Sequence, residues 1–318
     1  MSGLVLSKKK EPNFFIKLFR YIYKYKFLYL LVIPAMGFTL VFAYVPMAGV
    51  IVAFKDYNIW LGIWDSPWAG NNGFAHFIAI FQNQAIMQSV GNTLMLSLLN
   101  LAISFPMPII FALLLNELRQ VIFKRVVQTI SYMPHFLSWI SVIGITIVFL
   151  SPFGPMNQIL SIFIPEHDES TIFLTSQDLF VPLLVFLNLW KTMGFSSIIY
   201  LAAITGVDPQ LNDAAAIDGA NRFKQIWHVT IPSITPTIAI IFILSIGGIL
   251  AANFELVFGL QNVFIDFEVI DTVVYKHGLL QRGFSMATAV GLARGLIALL
   301  LTVIANQICK RLGNVSVF

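Results

Sequence analysis

The segment "DAAAIDGANRFKQIWHVTIPSITP", residues 213–236, separates two strongly apolar stretches and reads as a helix, a tight turn and a second helix. Just upstream, Gly206 closes an apolar run. Asp208 followed by Pro209 is a helix start: a side-chain acceptor at the cap, then proline where its missing N–H costs nothing. Ala214, Ala215, Ala216 and Ile217 give the first helix a small-residue surface that another backbone can approach closely. Gly219 marks its end, because glycine enters the left-handed conformation of a helix terminus without steric cost. In the second helix Phe223, Ile226 and Trp227 share a face, while Arg222, Lys224 and His228 fall elsewhere. Pro232 and Pro236 mark the return to apolar sequence. Two readings of the apolar stripe stand. It lies against the protein's own helices or the lipid interface, or it meets another protein.

Outward from this loop the chain is hydrocarbon-like. Of 318 residues, 58% are hydrophobic and 11% charged, where soluble domains carry about a quarter charged. So little charge cannot cover a water-facing surface, and the chain reads as an integral membrane protein. Windows of near-spanning length fall at 27–54, 87–115, 136–150, 179–204, 234–258 and 286–308. The third is short, and Lys191, Glu255 and Arg294 are the charges within the last three. The expected fold is therefore all-α and polytopic, with six transmembrane helices and both termini on one side. Residues 1–26 form a basic, aromatic arm, 27–54 the first transmembrane helix and 55–86 an aromatic loop. Residues 87–310 form a core containing the loop 205–233, and 311–318 a tail. The start of the chain is too long and aromatic for a signal peptide and is expected to be retained.

Lysine and arginine set the expected orientation. The arm holds Lys8, Lys9, Lys10, Lys17, Arg20, Lys24 and Lys26; segment 117–125 adds Arg119, Lys124 and Arg125; the loop adds Arg222 and Lys224, and the tail Lys310 and Arg311. The opposite face has only Lys55, Lys276 and Arg282, but most of the acids, among them Glu166, Asp168, Glu169 and Asp178. By the positive-inside rule both termini and the loop are cytoplasmic.

The order of residues in the loop resembles the cytoplasmic signature of binding-protein-dependent (type I) ABC importer permeases. That motif is Glu-Ala-Ala, two residues, Asp-Gly-Ala, then a spacer ending in an apolar residue, two residues and proline. Ala214, Ala215, Asp218, Gly219, Ala220, Val229, Ile231 and Pro232 match it with the spacing intact. Asp213 replaces the first glutamate, keeping the charge with a reach one methylene shorter. Three further stretches look like permeases that import polysaccharides and complex oligosaccharides: "VPMAGVIVAFKDYNIWLGIWDSPWAG" (45–70), "SFPMPIIFALLLNELRQVIFKRVVQTISYMPHFLSW" (104–139) and "VIDTVVYKHGL" (269–279). The resemblance implies a type I ABC importer permease fold in a bacterial cytoplasmic membrane, paired with a second, homologous permease. It also implies an ATP-binding cassette ATPase dimer, which would bind ATP and magnesium, an extracytoplasmic solute-binding protein and a carbohydrate substrate. Asp213, Ala214, Ala215, Asp218, Gly219, Ala220, Phe223, Ile226, Trp227 and Pro232 would then couple the membrane helices to the ATPase.

This chain has no Gly-x-x-x-x-Gly-Lys-Ser/Thr loop, so it is not itself the ATPase. It also lacks Cys-x-x-Cys, His-Glu-x-x-His and Gly-x-Ser-x-Gly, and its five histidines have no metal-ligand spacing. No cofactor, metal or catalytic set is expected: the chain is a transport subunit rather than an enzyme. The arm's basic and aromatic residues suit an interfacial helix on anionic membrane lipid, not nucleic acid. The rival reading is a secondary transporter or channel for a small polar solute. It needs inverted repeats with matched buried acids, and the halves show no such repeat.

Polar residues inside apolar spans face a protein interior or a cavity. Glu255 and Arg294 differ in expected depth by about 7 Å, so they form an ion pair between helices or line a substrate path. Asn188, Trp190, Lys191 and Asn253 offer hydrogen-bonding groups and an aromatic face to a hydroxyl-rich solute, or serve as packing. Tyr57, Trp60, Trp64, Trp68, Phe74 and Phe77 of the outer loop form an interfacial belt or a platform for a docking protein or sugar.

Overall fold

The structure, a computed structural model, describes residues 14–164 and 170–313. Lys8, Lys9, Lys10, Glu166, Asp168, Glu169 and the tail beyond 313 lie outside the described residues. Helix is nearly the whole of the regular structure; among the described residues the one β-bridge joins Lys55 to Trp68.

Five helices are long and apolar enough to cross a membrane: Lys26–Phe54, Gln84–Glu117, Gln177–Thr205, Arg222–Gly247 and Phe284–Arg311. The sixth crossing expected at 136–150 takes another form. Helix Trp139–Phe149 has 11 residues, about 16 Å at 1.5 Å per residue, half of a roughly 30 Å hydrocarbon core. It joins the preceding helix Val121–Phe136 at a 101° bend. The bend has a local cause. Ser138 is extended (φ −67°, ψ 152°), and its side chain accepts the Ser141 N–H, so it caps a new helix instead of continuing the old one.

The fifth span also differs from expectation. Its helix stops at Gly247, the chain runs irregularly past Gly248, and a separate helix, Phe254–Leu260, starts at Asn253, whose side chain accepts the Leu256 N–H. Glu255 therefore sits exposed in the first turn of that short helix, not inside a membrane span. There a carboxylate is favoured by the unpaired N–H groups of the helix start.

The elements meet in three apolar clusters. Leu96, Val142, Phe180, Leu184, Leu256 and Val269 join the second, third and fourth spans to the broken segment after Gly247. Ala53, Ile86, Val273, Ala289 and Val290 join the end of the first span to the last. Ala112, Tyr200, Ile204 and Ile234 hold the second, fourth and fifth spans together at the end nearest the loop 205–233. Gly194 permits the closest approach: a Cβ there would lie 2.1 Å from the Ser131 carbonyl oxygen.

Candidate functional site

The loop folds as its residues dictate. Asp208 Oδ1 accepts the Gln210 N–H at 2.9 Å and starts helix Pro209–Ile217. Gly219 ends it at φ +80°. Asn221 Oδ1 then accepts the Lys224 N–H at 2.9 Å, and the buried Gln225 amide donates to the Ala220 carbonyl, closing the turn. From Ile226 the helix passes through a π-helical turn, Ile226–Thr230, into the fifth span, so the loop is continuous with a membrane helix. Phe223 and Trp227 stack in parallel with centroids 6.3 Å apart, and Ile226 is half-buried. Phe223 is 72%, Trp227 60% and Ile217 87% exposed. The apolar stripe is thus held in shape and left uncovered by this chain. Asp213, Ala214 and Asp218 are also exposed, while Ala215 and Ala220 are half-buried.

Between the second, fourth and fifth spans lies a cavity of about 470 Å³. Asn100, Asn188 and Asn253, Ser97, Ser104 and Tyr200 are among its lining residues, and none of the lining is charged. Asn188 Nδ2 donates to Asn100 Oδ1 at 3.0 Å, which fixes both amides across the gap between two spans. Of the expected path residues, Asn188 and Asn253 line this cavity. Asn100 was not anticipated, although a lone amide within "LLNLAIS" obeys the same rule that singled out the charges.

The other four lie elsewhere. Trp190 is 41% exposed and does not line the cavity. Lys191 is buried: its ammonium donates to the His135 carbonyl at 2.9 Å and sits 4.9 Å from the Trp139 ring centroid. It clamps the bend of the third span onto the fourth. The expected Glu255–Arg294 pair is replaced by another: Arg294 Nη1 bonds Asp271 Oδ1, because the break after Gly247 moves Glu255 to the surface and brings Asp271 against the last span. Nearby, Lys276 and Thr272 both donate to the Glu268 carboxylate. Burial pushes that carboxyl up, but the bonds from Lys276, Thr272 and Gln261 and the Lys276 charge outweigh it, leaving Glu268 below its ordinary range.

Among the described residues, apolar helices of spanning length, a kinked crossing, an uncharged polar cavity and the uncovered loop 205–233 have the form of the transmembrane part of a transporter. Residues 104–313 match the family described as binding-protein-dependent transport system inner membrane component, and the chain belongs to that family. Of its relatives, the polygalacturonan/rhamnogalacturonan transport system permease protein YteP of Bacillus subtilis is 42% identical over 100% of this chain and 97% of its own length. Protein LplB of the same organism is 41% identical over 92% of this chain and 91% of its own length. A bacterial ABC transporter involved in import of the acidic polysaccharide alginate superposes with TM-score 0.84 at 37% identity, covering 93% of this chain and 99% of that one. A second structure of the alginate transporter, in complex with an alginate pentasaccharide-bound periplasmic protein, gives TM-score 0.85 at 36% identity over 95% and 100%. The chain is a multi-pass permease subunit of an ABC importer, and family membership leaves the secondary-transporter reading without support.

Proposed function

We propose that this chain is one half of the membrane pore of an ATP-driven importer that carries an oligosaccharide released from a polysaccharide across the bacterial cytoplasmic membrane. Its termini and the loop 205–233 face the cytoplasm. A homologous permease completes the pore, two ATPase subunits sit below it and bind ATP and magnesium, and an extracytoplasmic binding protein delivers the sugar above. Closure of the ATPases moves the loop, and through its unbroken connection to the fifth span switches the cavity between inward and outward access. The amides of Asn100, Asn188 and Asn253 offer donors and acceptors to sugar hydroxyls, as neutral hydrogen-bonding sites do for polar ligands.

The observation that carries the coupling is the set of uncovered apolar side chains Ile217, Phe223 and Trp227 on a loop capped at both helix starts. Large exposed apolar side chains on a fixed scaffold are hot-spot material for a protein partner. The substrate class is supported by the sugars named for the relatives. The test uses the four-subunit complex in proteoliposomes, with Ile217→Asp and Phe223→Asp in this chain. Both side chains are exposed, so the fold is expected to survive. The ATPase is expected to be lost on purification, and binding-protein-dependent sugar uptake to fall at least tenfold. An ATPase that stays bound and an unchanged uptake rate would refute the coupling role.

A further inference from the structure

The outer face carries three cations, and two are occupied. Lys55 is buried, donating to the carbonyls of Ile63 at 3.0 Å and Trp64 at 2.6 Å. Lys276 is bonded to Glu268. Arg282 is exposed, and among the described residues no carboxylate pairs with it. Its backbone is in the left-handed region, φ +59°, where a non-glycine residue is strained. That conformation is imposed from both sides: Gln281 N–H donates to the Lys276 carbonyl at 3.0 Å, and Gly283 N–H to the His277 carbonyl at 2.8 Å. The guanidinium is thus carried on a fixed turn.

That turn borders a cavity of about 550 Å³ shared with Asp56, Tyr57, Trp60 and His76, within the roughly 300–1,000 Å³ usual for small-molecule sites. The opposite wall is equally fixed. Ser285 Oγ donates to the Lys55 carbonyl at 2.6 Å and accepts the Tyr57 N–H at 2.9 Å, while Tyr57 packs edge-on against Phe284. Trp60 is 90% exposed, its backbone N–H donating to Asn58 Oδ1 at 2.9 Å. His76 Nε2 lies 3.0 Å from Asp56 Oδ1 but off the hydrogen-bonding direction, so it is buried without a hydrogen-bond partner among the described residues. The Asp56 carboxylate is 57% exposed and can accept from a ligand.

A bare indole face, a guanidinium without a counter-ion and an open acceptor around one rigid cavity are the complement of an acidic pyranose. We propose that this pocket is an outer docking subsite for a uronic-acid residue of the imported sugar, distinct from the asparagine cavity. Trp60 supports the apolar ring face, Arg282 binds the carboxylate through two parallel N–H donors, and Asp56 accepts a ring hydroxyl. The assignment rests on the carbohydrate-import reading with this face outward.

The test measures binding of tri-galacturonate and of its methyl ester to the assembled complex in nanodiscs. The wild type is expected to prefer the acid. Arg282→Gln should weaken the acid about tenfold or more and leave the ester unchanged, while Trp60→Ala weakens both. Arg282→Gly suits the left-handed backbone, so it should lose the acid equally with no drop in melting temperature, which separates recognition from folding. Equal wild-type affinity for acid and ester, or a glycine variant that binds the acid normally, would overturn the assignment. So would a variant that binds sugar normally but fails to capture the binding protein, since the pocket would then be a protein-docking face. ATP-driven uptake in the same preparation keeps the two readings apart. Uptake without Arg282-dependent acid binding sinks only the pocket. Arg282-dependent acid binding with no sugar uptake under any condition sinks only the import reading and leaves the pocket standing.

Discussion

Arg294 shows what a charge in a membrane span requires. It lies in an apolar helix, and Asp271 from the broken segment meets it, with 28% and 20% of the two side chains exposed. A pair of this kind adds little net stability over an apolar replacement, but removing one partner strands the other in a medium that cannot solvate it. Asp271→Ala is therefore expected to destabilise the chain by about 3 kcal/mol, read as a lower melting temperature in nanodiscs. Asp271→Leu with Arg294→Met should recover most of that loss. If single and double variants melt together, the pair is not what holds the broken segment. Glu255→Gln, at an exposed helix start, should change stability by less than about 0.5 kcal/mol. Hydropathy singled out Arg294 and Glu255 equally and paired them by depth, because depth along a span was the only coordinate available. It could not register that Gly247 and Gly248 end the helix, nor that Asn253, read as a path residue, would restart it as a cap.

At the scale of elements, legibility followed the range of the interactions that decide each one. The loop 205–233 is local chemistry: Asp208, Pro209 and Gly219 act within a turn of themselves, and the structure forms that helix start and stop where they were expected. The existence of the five long spans is equally local, since a sustained apolar run specifies a crossing, although the run at 234–258 did not mark where the fifth ends. The third crossing was opaque. Its first half, Val121–Phe136, carries Lys124 and Arg125 and reads as cytoplasmic from the sequence, and the bent pair is held to the fourth span by packing that hydropathy does not register. Two contacts form that seam, the Lys191 ammonium on the His135 carbonyl and Gly194 against the Ser131 backbone. Gly194→Leu forces the helices apart and should cost about 1–3 kcal/mol, measured as a fall in melting temperature. Gly91→Ala, in a helix with nothing within 4 Å of the new methyl, should instead stabilise by about 0.5–1 kcal/mol through helix propensity alone. Equal effects at the two glycines would mean that the seam is looser than the Ser131 contact implies.

Across the whole molecule, apolar surface is distributed unevenly. The fourth span buries residues along its length, from Phe180 to Ile204. The first span is exposed from Phe27 to Met47 and becomes buried only at Val52 and Ala53, where it meets the last span. Burial within the chain is what makes a helix's side-chain identities matter to that chain's stability. A helix facing only lipid or detergent needs hydrophobicity and length, not particular shapes. Replacing residues 27–46 with an unrelated apolar helix of equal length, keeping the basic arm and everything from Met47 onward, should therefore leave the melting temperature of the isolated chain within about 1 °C of the original, a difference below about 1 kcal/mol for a protein of this size. Substituting Ala53 by leucine in the same chain should lower it, because Ala53 has no exposed surface and packs within the Ile86–Ala289 cluster. A large drop on replacing residues 27–46 would show that this helix folds back onto its own chain. With the expected result, the side chains of residues 27–46 contribute nothing specific to this subunit's own stability, which is concentrated in the buried end of the first span and in the spans that enclose the asparagine cavity and continue into the loop 205–233.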